Sequence, residues 1–196
     1  MTIDALVFPV NLIVAGKSCL VVGDGEVARY KAQALEACGA RVTRLAMDDF
    51  KPGDCAGHWF VVTATGDPAR NAEVAADADR HGVWVNAADD PRNSTAILPA
   101  VLRRGSVTAT VGTAGRSPAM ATFLRNQIDA ALGPDVGALV EVVAEVRDQL
   151  RTEGIATEGL PWQEAFDPEF LELVAVGKID KASERLRECL LSSSSV

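Results

Sequence analysis

Histidine, tyrosine and paired cysteine are scarce in this chain. Its 196 residues include two histidines, one tyrosine and four cysteines. The cysteines (Cys19, Cys38, Cys55 and Cys189) never fall at CxxC spacing. They encode no disulfide framework, and a reducing, cytoplasmic setting fits. Cys19 and Cys38 sit in apolar patterns and read as core residues. His58 and His81 have no partner at metal-ligand spacing, so surface or strand-edge positions are expected and no metal is assigned. A run of roughly 18 apolar residues, which a membrane-spanning helix needs, is missing. Met1 to Val14 is apolar, but Asp4, Pro9 and Asn11 interrupt it and it lacks a basic start. An extended, structured segment is expected there rather than a signal peptide. Basic excess is lacking too. The net charge is −8, so no nucleic-acid partner is expected, because phosphate contact needs a cationic face.

What is present is a change of hydrophobic period along the chain. Ser18 to Val22 is β-rich and ends at Gly23. Glu26 to Cys38 carries Val27, Tyr30, Ala34, Leu35 and Cys38 on one helical stripe, Gly39 suits a helix stop, and Arg41 to Leu45 is the next strand. This is a βαβ unit. Asp48 to Gly57 reads as loop, Trp59 to Ala64 as strand, Pro68 to His81 as helix and Val83 to Asn86 as strand. Ala96 to Leu102 and Val107 to Val111 read as two further strands around Arg103–Ser106, with Pro99 restricting the first to an edge or bulge. After Gly112 the pattern is helical. Ser117-Pro118 opens a helix to about Leu132, and Asp135 caps a second to about Arg151. Thr152 to Pro161 is a linker. Two or three short helices follow, the last capped by Asp180, and Ser192 to Ser195 is expected to fray. The expected fold is α/β: a Rossmann-type parallel-sheet domain over 1–112, a helical dimerisation segment over 113–150 and a small helical C-terminal domain over 151–196.

Five motifs bear on chemistry. Gly23-Asp24-Gly25-Glu26-Val27-Ala28 is a G-x-G-x-x-A between strand and helix. Gly23 permits the turn, Gly25 admits a pyrophosphate to the backbone and Ala28 lets helix and strand close up. Asp48, twenty positions beyond Ala28, suits ribose hydroxyls and NAD over NADP; it also reads as a solvated loop aspartate beside Asp49. Thr63-Ala64-Thr65-Gly66-Asp67 either leaves room for a cofactor or is a plain β–α turn capped by Asp67. Asn86 to Pro91 places Asp89 and Asp90 at a strand end, as a general base or as a turn. From Pro91 to Ile128 there are five arginines (Arg92, Arg103, Arg104, Arg116, Arg125) and no carboxylate. That stretch suits a polyanionic small substrate or a basic surface loop. Gly112 to Pro118, leading into a helix N-terminus, is an anion site in form or simply a helix start.

In this order the motifs resemble the precorrin-2 dehydrogenase and sirohydrochlorin ferrochelatase family, which includes the N-terminal part of siroheme synthase. Phe8-Pro9-Val10 is similar to its Phe-Pro-Ile opening, and Val22 to Ala28 to its Val-Gly-Gly-Gly-x-Val-Ala. Asn86 to Pro91 is similar to its Asn-Val-Val-Asp-Asp-Pro, and Ile97 to Ala100 with Arg103-Arg104-Gly105 to its Phe-Pro-Ala…Arg-Arg-Gly. Gly115 to Pro118 is similar to its Gly-Lys-Ser-Pro. The resemblance implies that Asp89 is catalytic and that Glu26, Val27, Met47 and Asp48 contact NAD, beside Gly23, Gly25 and Thr65. It places Thr113 in the loop beside the tetrapyrrole, where Arg104, Arg116 and Ser117 of the basic stretch are expected to meet the macrocycle's carboxylates, and it implies that the chain forms an intertwined homodimer. Three departures stand out. Asp24 replaces a glycine, Tyr30 replaces an arginine, and Gly112-Thr113-Ala114 replaces a Ser-rich start. The expected activity is NAD-dependent oxidation of precorrin-2 to sirohydrochlorin, with iron insertion as a second activity in some family members. The rival expectation is a non-catalytic NAD-sensing Rossmann module.

Overall fold

The structure is a computed structural model, and residues 6–192 are described. The opening residues 1–5 and most of the expected fraying tail lie outside them. Four strands, β1 (Ser18–Val22), β2 (Arg41–Leu45), β3 (Phe60–Thr63) and β4 (Trp84–Ala87), form a parallel sheet in the order β2-β1-β3-β4. Leu20 pairs with Thr43 on one side and Val61 on the other, and Val61 pairs in turn with Val85. The helices α1 (Glu26–Ala37) and α2 (Pro68–Arg80) make the crossovers.

Period-two alternation divides the strand residues between two cores. Cys19, Val21, Phe60 and Val62 pack with Ala28 and Ala32 of α1. Leu20, Val22, Val61 and Val85 pack with Val74, Ala75 and Ala78 of α2. Burial on both faces explains why β1 and β3 read as unbroken apolar runs. Of the expected extended opening segment, Val14 is buried and Leu12 half-buried against the α1 side, while residues 6–10 are exposed and outside any regular element. A buried carboxylate ties the β2–β3 connection down. Asp77 accepts the amides of Gly53 and Cys55 at 2.9 and 3.1 Å and the Arg80 guanidinium at 2.8 Å. Burial pushes its carboxyl up, but these hydrogen bonds outweigh burial and hold it at about 2. The neighbouring Cys55 thiol, raised by its own burial and by Asp77, is pushed up to about 12 and stays protonated.

The expected strand at Ala96–Leu102 begins only at Ala100. Residues 95–96 run along the free edge of β4, where the Thr95 and Ala96 amides both donate to the Val85 carbonyl. Pro99, which has no N–H to offer a ladder, precedes the actual strand β5 (Ala100–Arg104). β5 pairs antiparallel with β6 (Val107–Val111) in a separate two-stranded sheet.

The chain also divides otherwise than at 112 and 150. One compact unit holds 1–99 and 112–120; the other holds 100–111 and 121–196. The helices after the hairpin are α3 (Pro118–Leu132), α4 (Val136–Thr152), α5 (Trp162–Ala165), α6 (Pro168–Ala175) and α7 (Ile179–Ser192). The hairpin joins the helical unit because its turn is clamped there. A Cβ on Gly137 of α4 would stand 3.1 Å from the Arg104 carbonyl oxygen. Arg104 pairs with Asp129 of α3 at 2.6 Å, and Ser106 donates to Glu141 of α4 at 2.9 Å. No boundary falls at 150 because α4 and the tail share one core. Val142, Val146 and Leu150 of α4 meet Phe170, Ala182, Leu186 and Leu190, both stripes at i, i+4, i+8 spacing. Asp180 falls inside α7 rather than capping it.

Candidate active site

β1 has β2 on one side and β3 on the other. The crevice beyond the carboxyl ends of strands flanking such a switch point is where open α/β sheets hold ligands. A cleft of about 380 Å³ lies there. It is lined by Gly25, Glu26 and Val27 after β1, Thr65 and Asn71 after β3, and Asp89 after β4.

The two glycines of the first turn differ in role. Gly23 has φ +131°, and a Cβ on it would lie 2.3 Å from the Ala64 carbonyl oxygen, so the fold itself requires glycine. Gly25 has φ −69°, open to any residue. A Cβ there meets nothing within 4 Å, so the space before it is free for a ligand. Gly25 is also the N-cap of α1 and gives no side-chain cap. The first-turn amides therefore reach the cleft uncovered, a setting that suits a pyrophosphate. The N-terminus of α2 is closed instead by Asp67, which accepts the amides of Ala69 and Arg70 at 2.8 and 3.4 Å. Asp67 of the Thr63–Asp67 stretch thus caps the helix, while Thr65 lines the cleft. Asp24 lines the cleft with an exposed side chain.

The paired aspartates after β4 are turned to different ends. Asp90 accepts the Arg92 amide at 3.1 Å and the Asn93 amide nitrogen at 2.6 Å, capping a short turn over Pro91–Asn93. Asp89 has φ +58°, a left-handed conformation that aspartate tolerates better than most residues. Its carboxylate takes no hydrogen bond among the described residues and is exposed in the cleft. Lys31 lies on α1 one turn beyond Val27 and is half-buried. Burial pushes its ammonium down, and the charge of Asp89 pulls it back up.

The remaining expected residues stand elsewhere. Met47 and Asp48 form a 3-10 turn past the end of β2, with Asp48 exposed. Arg70 holds that turn by donating to the Met47 carbonyl at 2.7 Å and pairs with Glu73 at 2.7 Å. Thr113 receives the Ser117 amide at 3.2 Å, and the Ser117 hydroxyl accepts the Met120 amide at 3.1 Å. These bonds give the helix-start reading of that loop. Arg116 is exposed, and none of the three lines the cleft. Arg104 is engaged by Asp129. Sequence reasoning missed Asn71. Its signal was an asparagine in the buried phase of an Ala-rich helix, alongside Val74, Ala75 and Ala78. A wider, shallow depression along α4 carries Glu141, Glu145, Asp148 and Glu153 and would repel a dinucleotide. No helix among the described residues is long and apolar enough to cross a membrane.

Comparison with known proteins agrees with this geometry. Residues 10–100 match a family model described as "Putative NAD(P)-binding". The siroheme synthase of Nitrosomonas eutropha is 30% identical over 208 positions, covering 95% of this chain and 44% of its own length. Siroheme synthase 2 of Aeromonas hydrophila is 33% identical over 170 positions, covering 77% of this chain and 36% of its own. The chain therefore spans less than half the length of the curated relatives it matches. The solved structure of SirC, a precorrin-2 dehydrogenase, superposes with a TM-score of 0.67 at 19% identity, covering 97% of this chain and 100% of that one; this likeness speaks for the fold. With a dinucleotide-binding turn, a parallel switch-point cleft and relatives along nearly its whole length, the chain belongs to the same family as the part of siroheme synthase that it matches.

Proposed function

We propose that the chain oxidises precorrin-2 to sirohydrochlorin with NAD in siroheme synthesis. The observation that carries this reading is one cleft holding both an uncovered glycine turn and the unengaged carboxylate of Asp89. Gly25 and the first-turn amides of α1 hold the pyrophosphate, with Glu26 and Val27 beside it and Gly23 shaping the turn. When bound, NAD+ accepts a hydride from the macrocycle. Asp89 takes the proton that leaves with it, as an exposed carboxylate at the strand ends can. Precorrin-2 and NAD+ thus give sirohydrochlorin, NADH and one proton. Arg116, exposed outside the cleft on the loop that Thr113 and Ser117 hold, receives the peripheral carboxylates where the macrocycle extends beyond the cleft. In the same reading Asp89 also accepts pyrrole protons when iron enters, which would make sirohydrochlorin ferrochelatase a second activity.

Asp48 supports NAD over NADP. Its carboxylate can accept the ribose hydroxyls and would repel a 2′-phosphate, while nearby Arg70 is already paired with Glu73. Formation of NADH on mixing the chain anaerobically with precorrin-2 and NAD+ tests the proposal, with NADP+ expected to be at least about tenfold poorer in kcat/KM. NAD binding with no oxidation of precorrin-2 would favour the non-catalytic sensing module instead.

The chain works as a homodimer in this reading. On α3 only Ala121 is buried. Met120, Phe123, Leu124, Ile128 and Leu132 stay exposed along one stripe, up to 54% for Phe123. Such a stripe on a long helix is expected to be covered by a second copy. Sedimentation should give a dimer at micromolar concentration, and Phe123→Glu should shift it to monomer. A wild-type monomer with full activity would refute this.

A further inference from the structure

We propose that Asn71 is a cofactor-contacting residue, its side-chain amide donating a hydrogen bond to an oxygen on the nicotinamide side of the dinucleotide. The inference rests on the dinucleotide reading of the cleft and adds to it a residue that the glycine turn does not contain. Asn71 is only 5% exposed, yet it lines the cleft. Three donors converge on its Oδ1: the Thr63 hydroxyl at 2.7 Å, the Thr65 amide at 3.1 Å and the Thr65 hydroxyl at 2.8 Å, the last shared with the Asp67 carbonyl at 3.1 Å. The Thr65 backbone N–H can only donate, so the oxygen of the amide must face this cluster and the nitrogen must face away. That nitrogen finds no acceptor among the described residues.

The residue is nearly buried, but its nitrogen is not among the buried unpaired atoms, so its N–H groups keep an opening through which a ligand can accept from them. The face left to those hydrogens is the cleft. The position also says which part of the ligand is met. Asn71 belongs to α2, which follows β3, whereas the ribose of the adenosine half goes to the end of β2 on the other side of β1. An acceptor oxygen of the pyrophosphate or of the nicotinamide ribose remains. Thr63 and Thr65 then act as positioning residues, fixing the orientation in which the amide presents its donors.

Asn71→Asp separates this role from a structural one. A carboxylate keeps acceptors for all three donors, so the apo protein should hold its melting temperature within a few degrees. The same change replaces the donor facing the ligand with a negative oxygen. Calorimetry should show NAD+ binding weakened by at least about tenfold, and AMP binding, which lacks the nicotinamide half, changed by less than about twofold. NAD+ affinity within about twofold of wild type would overturn the proposal, as would equal losses of NAD+ and AMP. Should the variant fail to fold, the wild-type protein still decides the matter by nitrogen-15 NMR. The side-chain amide signal of Asn71 should move on titration with NAD+ and not with AMP, and an unmoved signal would refute the contact. If wild-type chain binds neither NAD+ nor AMP, it is the dinucleotide reading itself that fails.

Discussion

Asp89→Ala is expected to lower precorrin-2 turnover by about 100-fold or more while leaving NAD+ affinity within about twofold, as removal of a general base does. The cofactor turn lies on β1 and α1, whereas Asp89 follows β4. The carboxylate makes no hydrogen bond among the described residues, so its loss breaks none, and what it removes is the counter-charge of the half-buried Lys31 ammonium. Alanine does have to hold φ +58°, which costs on the order of 1 kcal/mol. Asp89→Asn, which tolerates that conformation better, controls for the strain and should be equally inactive. Asp90→Ala is the contrasting case. Its carboxylate caps the Pro91–Asn93 turn, so the variant should lose about 1 kcal/mol of stability and keep most of its turnover. Steady-state rates and thermal melts on the three variants decide the assignment. Near-normal turnover in Asp89→Ala, or a crippled Asp90→Ala, would overturn it.

Gly25→Val is the second large effect. The position has an ordinary backbone and open space in front of it, so a branched side chain can be built without a clash and the fold should survive within about 1 kcal/mol. The isopropyl group then fills the approach to the α1 amides. NAD+ affinity is expected to fall by about 100-fold or more, roughly the loss of the charge-assisted hydrogen bonds to one phosphate. Gly23→Ala should behave in the opposite way, because its Cβ would strike the Ala64 carbonyl and the protein itself would be destabilised. Calorimetry together with thermal melts distinguishes the two glycines. Unchanged NAD+ affinity in Gly25→Val would remove the pyrophosphate from this turn.

The Rossmann half was legible because its signals are local. The G-x-G-x-x-A turn, the apolar runs of β1 and β3 and the prolines and glycines bounding α2 each fix an element within a few residues. The start of β5 was not legible. Pro99 signals a break, but whether the chain before it continues the hairpin or flanks β4 depends on the Val85 carbonyl, many residues away. The grouping of 100–111 with the helical unit was hidden for a similar reason, since it turns on a close backbone approach at Gly105 and Gly137. At the site, spacing singled out Gly25 and the Asp89-Asp90 pair, and the family resemblance chose Asp89 within it. Spacing alone could not show that Asp90 caps the Pro91–Asn93 turn while Asp89 takes a left-handed φ, nor that Arg104 is held by Asp129. Asn71 escaped because an asparagine in a helix looks ordinary until three donors are found on its oxygen.

Reaction stoichiometry tests the central claim most directly. Purified chain is mixed anaerobically with a limiting amount of precorrin-2 and excess NAD+, and NADH and sirohydrochlorin are followed together by absorbance. One NADH should form for each sirohydrochlorin, with both products appearing about 100-fold more slowly or worse when Asp89→Ala replaces the wild-type chain. Sirohydrochlorin arising without NADH, or no oxidation of precorrin-2 by a chain that binds NAD+, would contradict the assignment.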